Sequence, residues 1–149
     1  YLGYAGREAV AGGEGMIRKA LVALALLAVV AFLPRLIGRL RRGPMMETEE
    51  FRRRRETEKN LLVLDVRTAG DFVGEQGHID GAVNIPVEDL EQRMEEIGDY
   101  PEQPVALVCR TDKRSAKAAL LLTKAGYADV HVVRGGMTKW LEAGLPVIR

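Results

Sequence analysis

Three short stretches, residues 61–64 (Leu-Leu-Val-Leu), Val105–Val108 and Val130–Val133, constrain this chain most. Short apolar runs of this kind are consistent with strands buried on both faces, as in parallel sheets. Between and after them the spacing is helical. Val87, Leu90, Met94 and Ile97 share one face over residues 87–97. Residues 115–125 read as a helix ended by Gly126, and residues 137–143 as one stopped by Gly144 and Pro146. Residues 48–58 are charged and free of breakers, which predicts an exposed helix. Residues 70–81 contain four glycines and read as a loop, with Phe72 and Ile79 entering the core. Strands that alternate with helices imply an α/β domain with a central parallel sheet and right-handed crossovers. Sites in such sheets lie beyond the carboxyl ends of the strands. Asp65 follows the first strand, Cys109 ends the second, and Arg134-Gly135-Gly136 follows the third, so one edge should collect all three.

Cys109 is the single cysteine, which excludes an intrachain disulfide and leaves an inert core residue or a reagent. Its neighbours favour the reagent. In Val108-Cys109-Arg110-Thr111-Asp112-Lys113-Arg114-Ser115 a strand ends at the thiol, a short loop follows, and a helix begins near Ser115. Loop N–H groups and a helix N-terminus make an anion cradle. Arg110, Lys113 and Arg114 add positive charge, and both effects favour a thiolate. Phosphatase loops place five residues between Cys and Arg, whereas Cys109-x4-Arg114-Ser115 has four and suits a smaller centre such as a persulfide sulfur. With no second cysteine, the sulfur acceptor must come from outside.

Four blocks in order resemble the single-domain rhodaneses: Leu64-Asp-Val-Arg67, Gly77-His-Ile-Asp-Gly-Ala-Val-Asn-Ile-Pro86, Cys109-Arg-Thr-Asp-Lys-Arg-Ser115, and Gly135-Gly-Met-x-x-Trp140 through Ala143-Gly-Leu-Pro146. The resemblance implies a three-layer α/β/α domain around a parallel sheet. It also implies thiosulfate or another sulfane-sulfur donor, a persulfide on Cys109, and a thiol or cyanide acceptor. Arg110, Thr111, Asp112, Lys113, Arg114 and Ser115 become the substrate-binding loop, with no cofactor. Many members carry Gly where this chain has Asp112. A carboxylate there opposes an anion, and a tight loop would ask it for positive φ. Alternatively Asp112 pairs with Lys113 or Arg114 and holds the loop's shape. The short stretch before Leu61 leaves the family's first edge strand degenerate. Asp65 and Arg67 are supporting residues that pin loops. His78 lies in the Gly-His-Ile block and reads as a structural hydrogen-bonding residue rather than a partner of the thiol, and Met137 and Trp140 as core. The two histidines and one cysteine lack metal-ligand spacing, so no metal is expected. The competing class is a non-catalytic rhodanese-like module that a membrane anchor localises with a partner.

Residues 20–33 are unbroken apolar, and extension to 17–37 reaches the roughly 20 residues a bilayer core requires. Arg18, Lys19 and Arg35 lie near the ends, where long side chains can reach the headgroups. A transmembrane signal-anchor helix is the expected reading, ahead of a cleaved signal peptide or a buried helix, with Pro34 kinking it. Arg35, Arg39, Arg41 and Arg42 place the following domain in the cytoplasm by the positive-inside rule, with lipid contact through residues 17–42. Their position beside the apolar run argues for lipid rather than nucleic acid as the partner. Met16 reads as the start, with residues 1–16 a disordered or artefactual extension, 38–46 a basic juxtamembrane linker, and 47–149 the globular domain. With 47% hydrophobic and 29% charged residues, a packed core is expected and wholesale disorder is not.

Overall fold

The computed structural model describes the backbone of residues 5–42, 44–98 and 101–149, and the side chains of these apart from residues 5–11, 35 and 38–42. The chain divides into two compact units, residues 1–38 and 39–149.

Helix α1, Ala5–Arg42, runs through Pro34 without interruption in its helical assignment. Its segment Gly12–Pro34 is long and apolar enough to cross a membrane by length and composition, a test that a signal sequence near an N-terminus also passes. Leu21, Leu24, Leu27, Val30 and Phe32 are exposed. The extension expected to be disordered or artefactual is helical from Ala5 onward, and residues 1–4 lie outside the described residues. Helix propagation costs far less than nucleation, so an apolar helix can extend into an Ala-rich stretch despite Gly12, Gly13 and Gly15. The side chains of Arg35, Arg39, Arg41 and Arg42, on which the lipid reading leans, lie outside the described residues.

The second unit is built on a five-stranded sheet in the order β1-β5-β4-β2-β3, every pairing parallel. The strands are β1 (Met45–Met46), β2 (Leu62–Asp65), β3 (Val83–Asn84), β4 (Val105–Val108) and β5 (Val130–Val133). Two strands escape the sequence pattern because two residues cannot show a period. The first corrects the linker expected at 38–46: α1 continues to Arg42, and β1 then joins β5, with Val132 N–H donating to Pro44 O and Arg134 N–H to Met46 O.

Alternation along the strands sorts side chains to the two faces. Leu64, Val105, Leu107, Val130 and Val132 join Ala118, Ala119 and Leu122 of α5 (Lys113–Lys124) and Leu90 of α4 (Leu90–Arg93). Val63, Ala106, Val108 and Val133 join Phe51 of α2 (Thr48–Thr57) and Met137 and Trp140 of α6 (Gly136–Glu142). Helices thus cover both faces, the expected α/β/α layering. Helix α2 is not wholly exposed: Phe51 is buried and meets Trp140 with ring centroids 5.6 Å apart. Burial of each such ring contributes roughly 1.5–3 kcal/mol. The helix expected over 87–97 is α4 followed by a 3-10 turn at Met94–Ile97. Helix α5 ends in a Schellman motif: Tyr127 N–H donates to Leu122 O and Gly126 N–H to Thr123 O, with Gly126 at φ 103°.

The chain steps outward from β2 to β3, then returns past β2 to β4. The order therefore reverses between β2 and β4, where Asp65 registers with Val108. Ligands bind open α/β sheets at such switch points. Cys109 is the next residue.

Candidate active site

Cys109 follows the last residue of β4 and is 1% exposed, part of the core cluster that includes Ala118, Ala119 and Leu122 of α5. Helix α5 starts at Lys113, two residues before the expected boundary, so Lys113 and Arg114 stand in its first turn and the loop is residues 110–112. Among the described residues, none of the six main-chain N–H groups of residues 110–115 donates to an acceptor in the chain; the first to do so is Ala116, to Asp112 O at 2.9 Å. Those of Lys113, Arg114 and Ser115 are the open first-turn donors of a twelve-residue helix.

The loop's acceptors are engaged on α6. Met137 N–H donates to Cys109 O at 2.8 Å and Thr138 N–H to Arg110 O at 3.1 Å. The Thr138 hydroxyl also donates to Arg110 O, at 3.0 Å. Carbonyls from the sulfur-side loop thereby cap the orphan donors of α6, which has no side-chain cap of its own. Two glycines make this approach possible. Gly135 and Gly136 have φ 72° and 48°, and a Cβ on Gly136 would stand 2.1 Å from Cys109 O.

Two geometric expectations for Asp112 are not met, a positive φ and a pairing with Lys113 or Arg114. Its φ is −131°, so no positive φ is demanded. Its carboxylate pairs with neither Lys113 nor Arg114 but accepts from Gly135 N–H, at 2.7 Å. Arg114 instead meets Asp71, at 3.3 Å. Asp71 follows Thr68, whose hydroxyl caps its N–H at the start of α3 (Ala69–Phe72). That residue was missed from sequence because the pair spans 43 positions and carries no local signal. Arg110, Thr111 and Lys113 are exposed. Ser115 is fully buried on the inward face of α5, and its hydroxyl has no partner.

Asp65 and Arg67 form a buried pair, each 1% exposed. Arg67 Nε and Nη2 reach both carboxylate oxygens at 2.7–3.2 Å, and Nη2 also donates to Gly77 O at 2.7 Å. Asn84 Nδ2 ties the same segment by donating to Asp65 O and Arg67 O. A cavity of about 160 Å³ is lined by Arg67, Asp71, Gly74, Glu75, Gln76 and Arg110. Glu75 and Gln76 were not singled out from sequence, since nothing in their spacing marks them. His78 stacks on Phe72 with centroids 3.8 Å apart, places Nδ1 2.9 Å from Phe72 O, and bridges to Ile148 by main-chain bonds. Trp140 Nε1 donates to Pro146 O, which anchors the C-terminal segment. Among the described residues, no three or more His, Cys, Asp or Glu side chains gather as a metal site.

A parallel sheet covered by helices on both faces, with a cysteine-headed loop at its switch point, defines an α/β/α domain. The chain belongs to the rhodanese-like domain family, whose family model matches residues 47–143. It is 40% identical over 92 residues to the Bacillus subtilis protein YqhL, covering 62% of this chain and 68% of that one. A sulfurtransferase of Allochromatium vinosum is 31% identical over 103 residues, covering 69% and 92%. Among solved structures, the human single-domain sulfurtransferase TSTD1 superimposes with a TM-score of 0.59 at 25% identity, covering 67% of this chain and 96% of that one.

Proposed function

We propose that this chain is a sulfurtransferase in which Cys109 carries sulfane sulfur as a persulfide. The Cys109 thiolate attacks the outer sulfur of a donor such as thiosulfate. The S–S bond of the donor breaks, sulfite leaves with the electron pair, and a Cys109 persulfide remains. An incoming thiolate or cyanide then takes the outer sulfur and returns the Cys109 thiolate. The observation that carries this reading is the run of six unpaired N–H groups at residues 110–115 immediately after the thiol. Such a run favours an anion without adding a mobile charge. Arg110 at the cavity wall and Lys113 at the helix start supply the charge that attracts it. The unpartnered Ser115 hydroxyl supplies a further donor on the inward face of α5. Both the Allochromatium protein and the human structure bear the sulfurtransferase name, which supports the same class.

The test is mass spectrometry of the full chain in detergent after incubation with thiosulfate. Wild type gains one sulfur on Cys109, and Cys109→Ser gains none. A folded wild type that gains none supports the non-catalytic binding module instead.

The N-terminal helix is read as a signal anchor holding the domain at the cytoplasmic face. Its 23-residue apolar segment and the arginines after it support this. Carbonate extraction should leave the chain in the membrane fraction, and protease added to intact spheroplasts should spare the domain. Release by carbonate overturns the anchor, and digestion from outside overturns the orientation.

A further inference from the structure

An aspartate at the start of a helix ordinarily turns its carboxylate onto the N–H groups of the second or third helical residue. Asp112 holds that position before α5 and makes no such bond. The groups it would cap belong to Arg114 and Ser115, which are two of the six open donors. Its carboxylate is drawn instead to Gly135 N–H, at 2.7 Å. Gly135 is the capping residue of α6, in the left-handed region at φ 72° and ψ −2°. The tie lies beside the two main-chain bonds from Met137 and Thr138 to the carbonyls of Cys109 and Arg110. Three N–H groups at the start of α6 therefore end on the sulfur loop. Only the bond to Asp112 depends on a side chain of that loop.

We propose that Asp112 is a positioning residue: latched to Gly135, its carboxylate holds the sulfur loop against the start of α6 and stays off the Arg114 and Ser115 N–H groups, which remain open to an anion. The identity of that anion rests on the sulfurtransferase reading; the latch itself does not. Free of Gly135, the carboxylate would be an internal anion able to take the place of a donor on α5.

Asparagine retains an oxygen for Gly135 N–H, whereas alanine retains none. Two readouts on the full chain in detergent micelles separate positioning from charge: amide hydrogen exchange at Gly135, and the second-order rate of sulfur uptake from thiosulfate. In wild type the Gly135 amide is protected. Asp112→Ala should speed its exchange and slow sulfur uptake, each by about tenfold, the scale of one hydrogen bond to a charged group. Asp112→Asn should restore both to within about threefold of wild type. Unchanged Gly135 exchange in Asp112→Ala, or uptake faster than wild type in both variants, overturns the latch. If Asp112→Ala fails to fold, Asp112→Gly makes the same comparison. If wild type takes up no sulfur, the transferase reading falls, and Gly135 exchange alone decides the latch.

Discussion

Gly136 lies so close to Cys109 that a Cβ on it would stand 2.1 Å from the Cys109 carbonyl oxygen and 2.8 Å from that of Thr111. The site is therefore made by two loops pressed together, one after β4 and one after β5. Their main chains bond directly, so side-chain volume between them is excluded.

Gly136→Ala should consequently be severe. The residue must leave φ 48° or hold it at a cost of about 1–3 kcal/mol, and the Cβ clash adds to this. The urea midpoint of the full chain in detergent should fall, and iodoacetamide should reach Cys109, which is 1% exposed, more rapidly than in wild type. An unchanged midpoint would mean that the two loops can separate freely.

The Asp65–Arg67 pair should behave as a buried ion pair whose half-removal is costly. Asp65→Ala leaves the Arg67 guanidinium buried without its carboxylate, and should destabilise the domain by about 3–5 kcal/mol. Asp65→Ala combined with Arg67→Ala should cost less than the sum of the single changes. Additive losses by chemical denaturation would show that the two groups act independently.

Ser115→Ala should separate stability from function. The hydroxyl is buried and unpartnered, so removing it should leave stability unchanged or raise it by about 1 kcal/mol. Sulfur uptake at Cys109 should slow, because a donor on the inward face of α5 is lost. Uptake equal to wild type would make the hydroxyl a packing residue alone.

Acid should weaken α2 in a defined direction. The hydrogen bond from Arg54 holds the Glu58 carboxyl below its ordinary value of 4.5, against an opposing desolvation and with the Arg54 charge adding to the lowering. A carboxyl lowered in the folded state stabilises above its unfolded value, and loses that contribution as pH falls through the folded one. Thermal midpoints should therefore drop below about pH 4.5, and Glu58→Gln should flatten part of the drop. The Glu58 side chain is 37% exposed, so the contribution should also shrink in high salt. A midpoint equally steep with pH in Glu58→Gln would assign the acid sensitivity elsewhere.

Much of this protein was legible in its residues. The stretches 61–64, Val105–Val108 and Val130–Val133 announced three central strands because burial on both faces leaves a continuous apolar signature. Cys109 and the run to Ser115 announced the loop because strand end, cations and helix start are contiguous. Other features depended on where distant segments meet. Met45–Met46 and Val83–Asn84 are strands only because longer neighbours supply their partners. Asp71 reaches Arg114 across 43 positions and Gly135 reaches Asp112 across 23, separations at which no local period operates. The charge of Asp112 was plain from sequence, but its direction was not. That was decided by the main chain of α6, whose N–H groups required acceptors and found them on the sulfur loop.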